Sequence, residues 1–118
     1  MKSFRDLQIW QRGMDLSVLV YRQTLNLPKE ELFGLTSQLR RASTSIPLNI
    51  SEGWGRGSDK SFANYIKIAR GSIFELDTTL ELCYRLNYIS IEKFQSLQLE
   101  NETLGKMLNG FLKTLDKE

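Results

Sequence analysis

Apolar residues recur along this chain at steps of three and four, the period that lays side chains along one face of an α-helix. In the first segment Leu7, Trp10, Met14, Val18, Tyr21 and Leu25 form one such stripe. Leu16, Leu19 and Val20 fall outside it. A surface helix normally carries one apolar face, so the surplus predicts that this helix is covered from a second direction, as by another subunit. Asn26-Leu27-Pro28 ends the segment, because proline biases its predecessor away from helix.

A second stripe runs through Leu35, Leu39, Ala42, Ile46, Ile50 and Trp54. Pro47 lies inside it and removes the hydrogen bond to the Ser43 carbonyl. A kink is expected, with the freed carbonyl satisfied by the Ser43 or Thr44 hydroxyl or by water; a break into two helices is the alternative. Gly53-Trp54-Gly55-Arg56-Gly57 closes this helix, and Ser58 followed by Asp59 has the form of an N-cap with an acid in the first turn. The third segment, Phe62, Ile66, Ala69, Ile73, Leu76, Leu80 and Cys83, alternates steps of four and three like the seam of a bundle helix. Gly71 and Ser72 within it are small enough to admit a neighbouring backbone. After a turn at Asn87 and Tyr88, Ser90 caps a fourth helix through Phe94, Leu97, Leu104, Leu108, Phe111 and Leu115. Its one polar interruption, Asn101, is a candidate for fixing register.

Short connections make consecutive helices antiparallel. The expected fold is therefore all-α, an antiparallel up-down four-helix bundle with a proline-kinked second helix, in one domain over residues 1–118. No alternating strand pattern, internal repeat or linker competes with it. A chain of 118 residues can bury roughly two thirds of its unfolded surface. Its 41% apolar and 25% charged residues match ordinary globular composition. No run approaches the ~20 apolar residues of a membrane-spanning helix, and the opening Lys2-Ser3-Phe4-Arg5-Asp6 lacks the greasy core of a signal peptide. A cytoplasmic location is expected, in which the sequons at Asn49 and Asn101 carry no meaning. Cys83, the single cysteine, allows no intrachain disulfide or thiolate zinc cluster and is expected to pack as a small hydrophobe.

The chain has no histidine. That removes Ser-His-Asp and Cys-His catalysis, HExxH zinc hydrolysis and the Glu-x-x-His ligands of di-iron bundles. Asp77 and Glu81 share a face, but Arg85 follows Glu81 at the same spacing and makes a solvated charge ladder. Glu52 and Arg56 form a similar helix-end pair. The glycine-rich stretch into Lys60-Ser61 is not a phosphate loop, since Asp59 stands where glycine is required and a helix, not a strand, precedes it. No acid, base and nucleophile converge, so binding is expected in place of catalysis, with no metal or cofactor.

Basic residues give the functional lead. Arg40, Arg41, Arg56, Lys60, Lys67 and Arg70 run from the second helix into the third, Lys60 and Lys67 being two turns apart on one face. Arg5 and Arg12 repeat that spacing in the first segment. Such rows grip phosphates, and Trp54 or Tyr65 would stack on a base; the bland account is that the cations serve solubility and the aromatics the core. The net charge of +2 makes one copy a weak polyanion binder, whereas copies in an oligomer add.

Several blocks together are distinctive: Phe4-Arg5-Asp6-Leu7 with Trp10, Leu35 through Ala42, Ser45-Ile46-Pro47-Leu48-Asn49-Ile50-Ser51-Glu52-Gly53, and Ala69-Arg70-Gly71-Ser72 with Glu75. Over nearly its whole length the chain resembles the four-helix-bundle family of 23S rRNA intervening sequence proteins, with Ser51 where members commonly carry alanine. The resemblance implies a ring-like homopentamer of a bacterial protein, often encoded within 23S rRNA gene inserts and without established activity. It does not imply a ribosome component. More distantly, the chain is similar to the accessory protein of diversity-generating retroelements, a basic pentameric barrel that binds nucleic acid and a reverse transcriptase. A five-fold ring needs two different faces of each subunit to meet. Gln38, Arg41, Asn49 and Glu52 are then expected at polar contacts within or between subunits, with Pro47 shaping the helix around them and Gly53 as a further structural or interface residue. The resulting expectation is a non-enzymatic homopentamer binding structured RNA or another nucleic acid, with Arg40, Arg56, Lys60, Lys67 and Arg70 as phosphate contacts. The alternative is an adaptor for a nucleic-acid-handling enzyme such as a reverse transcriptase.

Overall fold

Three serines mark where helical structure starts. A computed structural model describes residues 2–115; Met1 and residues 116–118, the ends of the expected 1–118 domain, lie outside the described residues. Ser3 and Asp6 form a reciprocal capping box on a 3₁₀ turn, Phe4–Asp6. Ser58 Oγ accepts from the Ser61 amide and Ser90 Oγ from the Lys93 amide. Each satisfies one of the donors a helix start leaves unpaired. Among the described residues the chain forms four α-helices: α1 (Gln8–Gln23), α2 (Leu35–Gly55), α3 (Asp59–Arg85) and α4 (Ile91–Leu115). None is long and apolar enough to cross a membrane. The turn after α3 is a Schellman motif: Asn87 takes φ 64° while its amide bonds Tyr84 and the Tyr88 amide bonds Cys83. Consecutive helices pack side by side and α1 closes against α4, in a body of 46 × 21 × 19 Å.

The seams expected on α2, α3 and α4 face the core. All seven α3 positions are buried, as are Leu39, Ala42, Ile46 and Ile50 of α2, with Leu97, Leu104 and Leu108 of α4. Cys83 is buried among them, and burial, aided by the Glu31 carboxylate, pushes its thiol up to about 11. It packs as a hydrophobe.

The stripe expected on the first segment divides: Leu7 is buried and Trp10 half-buried against the core, but the rest turns outward. Met14, Val18, Tyr21 and Leu25 of the large-residue stripe are exposed, and the face turned inward is Ile9, Gly13, Leu16, Ser17 and Val20. The cause is Pro47. A Cβ on Gly13 would lie 3.4 Å from the proline Cβ and Cδ, so α1 meets α2 through its smallest residues. The helix runs unbroken through Pro47, against the alternative of two helices. Its orphaned Ser43 carbonyl is met from the neighbouring helix: Ser17 Oγ lies 3.0 Å from it and 2.9 Å from the Gly13 carbonyl, sharing one proton between them. The expected donors are used elsewhere, the Ser43 and Thr44 hydroxyls both donating to the Arg40 carbonyl.

Small residues also set the other contacts. A Cβ on Gly53 would lie 2.8 Å from Phe62 Cδ1 and from Tyr65 Cβ, so glycine there brings α2 against α3. Gly71 does not act this way, having nothing within 4 Å of its Cβ position; Ser72 is the small contact, its hydroxyl 2.8 Å from that of Ser45. Asn101 is fully buried and its Nδ2 donates to the Ile73 carbonyl at 2.8 Å, fixing α4 against α3.

Two measurements check this packing. Urea unfolding of Ser17→Ala should show a loss of about 1–3 kcal/mol, the cost of stranding a buried carbonyl. In a Pro47→Ala background, where the backbone regains its own donor, that loss should shrink. Gly53→Ala should cost about 1–3 kcal/mol by overpacking, whereas Gly71→Ala should cost nothing or stabilise slightly.

Candidate nucleic-acid interface

Arg70, on the flank of α3 that faces α4, is half-buried, and its Nη1 donates to Asn109 Oδ1 of α4 at 3.2 Å. That bond holds the guanidinium in place and leaves most of its donors free. Lys67 lies one turn earlier on α3 and Lys113 one turn after Asn109 on α4, both exposed. With Leu112 beneath them they line a cleft of about 490 Å³ whose lining, among the described residues, includes no carboxylate. Among the described residues none of these cations has an acid within ion-pair distance. Three positive groups thus converge on one cleft, an arrangement that favours an anion with several oxygens. Lys60 continues the row two turns before Lys67, and Lys106 stands two turns before Lys113.

The remaining expected phosphate contacts are elsewhere and already engaged. Arg40 lies over the Tyr21 phenol at 4.6 Å, with Nε donating to Thr24 Oγ1 at 3.4 Å, on the α1 side of α2. Arg56 donates to Glu52 Oε2 at 2.7 Å and lies 5.2 Å from the centroid of Tyr65. Its pKa is raised, first by the Glu52 hydrogen bond. Arg5 and Arg12 do not share a helix face: Arg5 precedes α1 and sits 4.7 Å from the Phe4 centroid, while Arg12 pairs with Glu100 at 3.4 Å. The expected stacking residues are engaged too. Trp54 packs edge-on to Phe62 at 6.3 Å, and the Tyr65 hydroxyl reaches Glu52 at 3.5 Å.

The structure therefore brings Lys67 and Arg70 together, keeps Lys60 in line with them, and leaves Arg40 and Arg56 outside the cleft. Asn109 and Lys113 were missed. Their signal was present in the seven-residue step from Lys106 to Lys113, which matches Lys60 to Lys67 on the antiparallel neighbour.

Among the expected polar contacts, Asn49 Nδ2 donates to the Ser45 carbonyl at 2.7 Å and to Ser45 Oγ at 3.0 Å. With Glu52 bound by Arg56 and Tyr65, this makes a polar seam between α2 and α3 within one chain. Gln38 and Arg41 are exposed; Pro47 and Gly53 are buried.

A second feature lies across the molecule. Between α1 and α2 the outward stripe of α1 forms one wall of an open groove of about 670 Å³, with Trp10, Met14, Val18 and Tyr21 facing Pro47 and Leu48. Among the described residues that line it, Arg5 and Arg22 are the charged ones.

Comparison with known proteins agrees with this architecture. The chain is similar to a protein of unknown function of the S23 ribosomal protein family from Bacteroides thetaiotaomicron, with 27% identity and a TM-score of 0.79 over 89% of this chain and 98% of the other. No curated protein matches it significantly. Residues 5–110 match the family described as 23S rRNA-intervening sequence protein, and they span most of the chain. The chain belongs to the 23S rRNA-intervening sequence protein family.

Proposed function

We propose that this protein is a non-enzymatic, cytoplasmic homopentamer that binds structured RNA or another nucleic acid through cations repeated around a ring. One observation carries the reading: Lys67, Arg70 and Lys113 converge on one cleft, lined among the described residues by no carboxylate. Lys60 and Lys106 extend it along two antiparallel helices, where an irregular polyanion meets several cations in succession. Arg40 and Arg56, which hold their own fold together, act on the polyanion at longer range.

Assembly is supported by the α1–α2 groove. A lone subunit leaves Met14, Val18, Tyr21 and Leu48 in water, and a contiguous apolar concavity of this kind favours a covering partner. In a ring the cover is a different face of the next subunit, with the exposed Gln38 and Arg41 available for polar contacts between subunits and Pro47 shaping the helix that forms the wall. Five copies of the cleft then act on one polyanion, which offsets the weak net charge of each.

The adaptor reading has its own observation. Phe33 is 94% exposed in the connection before α2, with Leu25 and Leu32 also exposed nearby, at the bundle end away from Lys60 and Lys113. Such a knob suits an apolar pocket on a protein partner, such as an enzyme acting on the bound nucleic acid.

A salt titration of binding to folded RNA fragments is the test. Log affinity should fall steeply with log salt, and Lys67→Ala and Lys113→Ala should each flatten the slope by roughly one contact. Binding indifferent to salt would overturn the nucleic-acid reading. Sedimentation should give a multiple of 13.7 kDa, and Val18→Glu in the groove should reduce it to one copy; wild-type protein sedimenting as 13.7 kDa would overturn the assembly.

A further inference from the structure

Phe74 is 65% exposed on the α3 surface, outside the core and outside every aromatic pair that the fold uses. It follows Arg70 by one helical turn, a spacing that puts side chains next to each other on the helix. Helical side chains lean towards the N-terminus, which carries this phenyl group back over the Arg70 turn and so towards the cleft. Gly71, on the same outward side, has nothing within 4 Å of where a Cβ would be, so the surface beside the phenyl group is open down to the backbone.

We propose that these features make one site for a single-stranded polynucleotide: Lys67, Arg70 and Lys113 hold its phosphates, and Phe74 stacks against one of its bases above Gly71. The inference rests on the nucleic-acid reading and adds to it the form of the ligand. In a duplex the base faces are already stacked on one another, and a duplex engages only the cations. An unpaired base offers a face of its own, and aromatic stacking of this kind is sequence-tolerant. Structured RNA presents such bases in its loops and bulges, which reconciles a single-stranded site with a folded ligand. The site is short. Asp77, the next residue on that flank, holds a carboxylate to which Gln98 Nε2 donates at 3.3 Å, and Glu81 follows one turn later. Phosphates are repelled beyond Phe74, so the strand lies towards Lys67.

Fluorescence anisotropy with a labelled oligouridine, and with an RNA hairpin stem of equal charge, tests this on the full-length protein. The single strand should bind more tightly. Phe74→Ala should weaken it roughly ten-fold, the effect of losing one stacked base, with the stem unchanged and Phe74→Trp restoring affinity. Phe74→Leu should behave like the alanine variant, because it keeps apolar bulk and loses the aromatic face. Lys67→Ala should weaken both ligands. Equal or tighter binding of the stem, or full affinity in Phe74→Leu, overturns the stacking site while the salt-dependent reading stands. Binding of neither ligand by the wild-type protein overturns both. Loss of the oligomer in Phe74→Ala assigns the residue to a subunit contact and overturns the site as well.

Discussion

One hydroxyl decides which way the first helix turns. Proline in the middle of α2 strands a buried carbonyl at Ser43, and the nearby Ser43 and Thr44 hydroxyls donate to Arg40 instead. Ser17 supplies the donor, and Gly13, one turn earlier, makes room for the proline ring itself. Both residues must face α2 for this to work. The rotation of α1 about its axis is therefore fixed by a polar contact and a steric one, while its largest apolar side chains are carried outward.

The two surfaces follow from that rotation. Met14, Val18 and Tyr21 point away from the core because Gly13 and Ser17 point into it, and the concavity over Pro47 is floored by the same residue that set the rotation. The apolar groove is thus a consequence of how the subunit folds, and in the proposed ring folding and assembly depend on one contact. The cationic cleft depends on a separate device. Asn101 fixes α4 against α3 through the Ile73 carbonyl, and the same register brings Asn109 within reach of Arg70. A shift of one turn would separate Arg70 from Asn109 and break up the cluster.

Much of this was legible in the sequence. Periodicity located all four helices and the inward faces of three, because on α2, α3 and α4 most of the large apolar residues at helical spacing are buried. It failed on α1, where close approach to a proline selects glycine and serine, residues that a hydrophobic pattern does not count. Pro47 itself was visible, and so was the need for a donor to Ser43. That the donor is Ser17 was not, since the partners are 26 positions apart and nothing local joins them. The same limit applies to the cleft. Lys67 and Arg70 were apparent as a row on one helix, while Asn109 and Lys113 became relevant only once α4 lay beside α3.

Net charge was the least informative quantity, and the structure explains why. A balance of +2 treats all cations alike, yet some are engaged within the fold and others are not. Arg12, Arg56 and Arg85 pair with Glu100, Glu52 and Glu81, so their charge is largely cancelled at close range. Arg40 is drawn onto the Tyr21 phenol. What these arginines hold together is the protein itself. Lys60, Lys67, Arg70, Lys106 and Lys113 have no acid within ion-pair distance among the described residues, and they cluster on the α3–α4 side. A chain can therefore be close to neutral overall and still present a local cluster of one sign, here ending on α3 at Asp77, because the ion pairs that cancel charge lie elsewhere. Repetition of that face in an assembly raises the local charge with each copy, and the paired arginines add little to it.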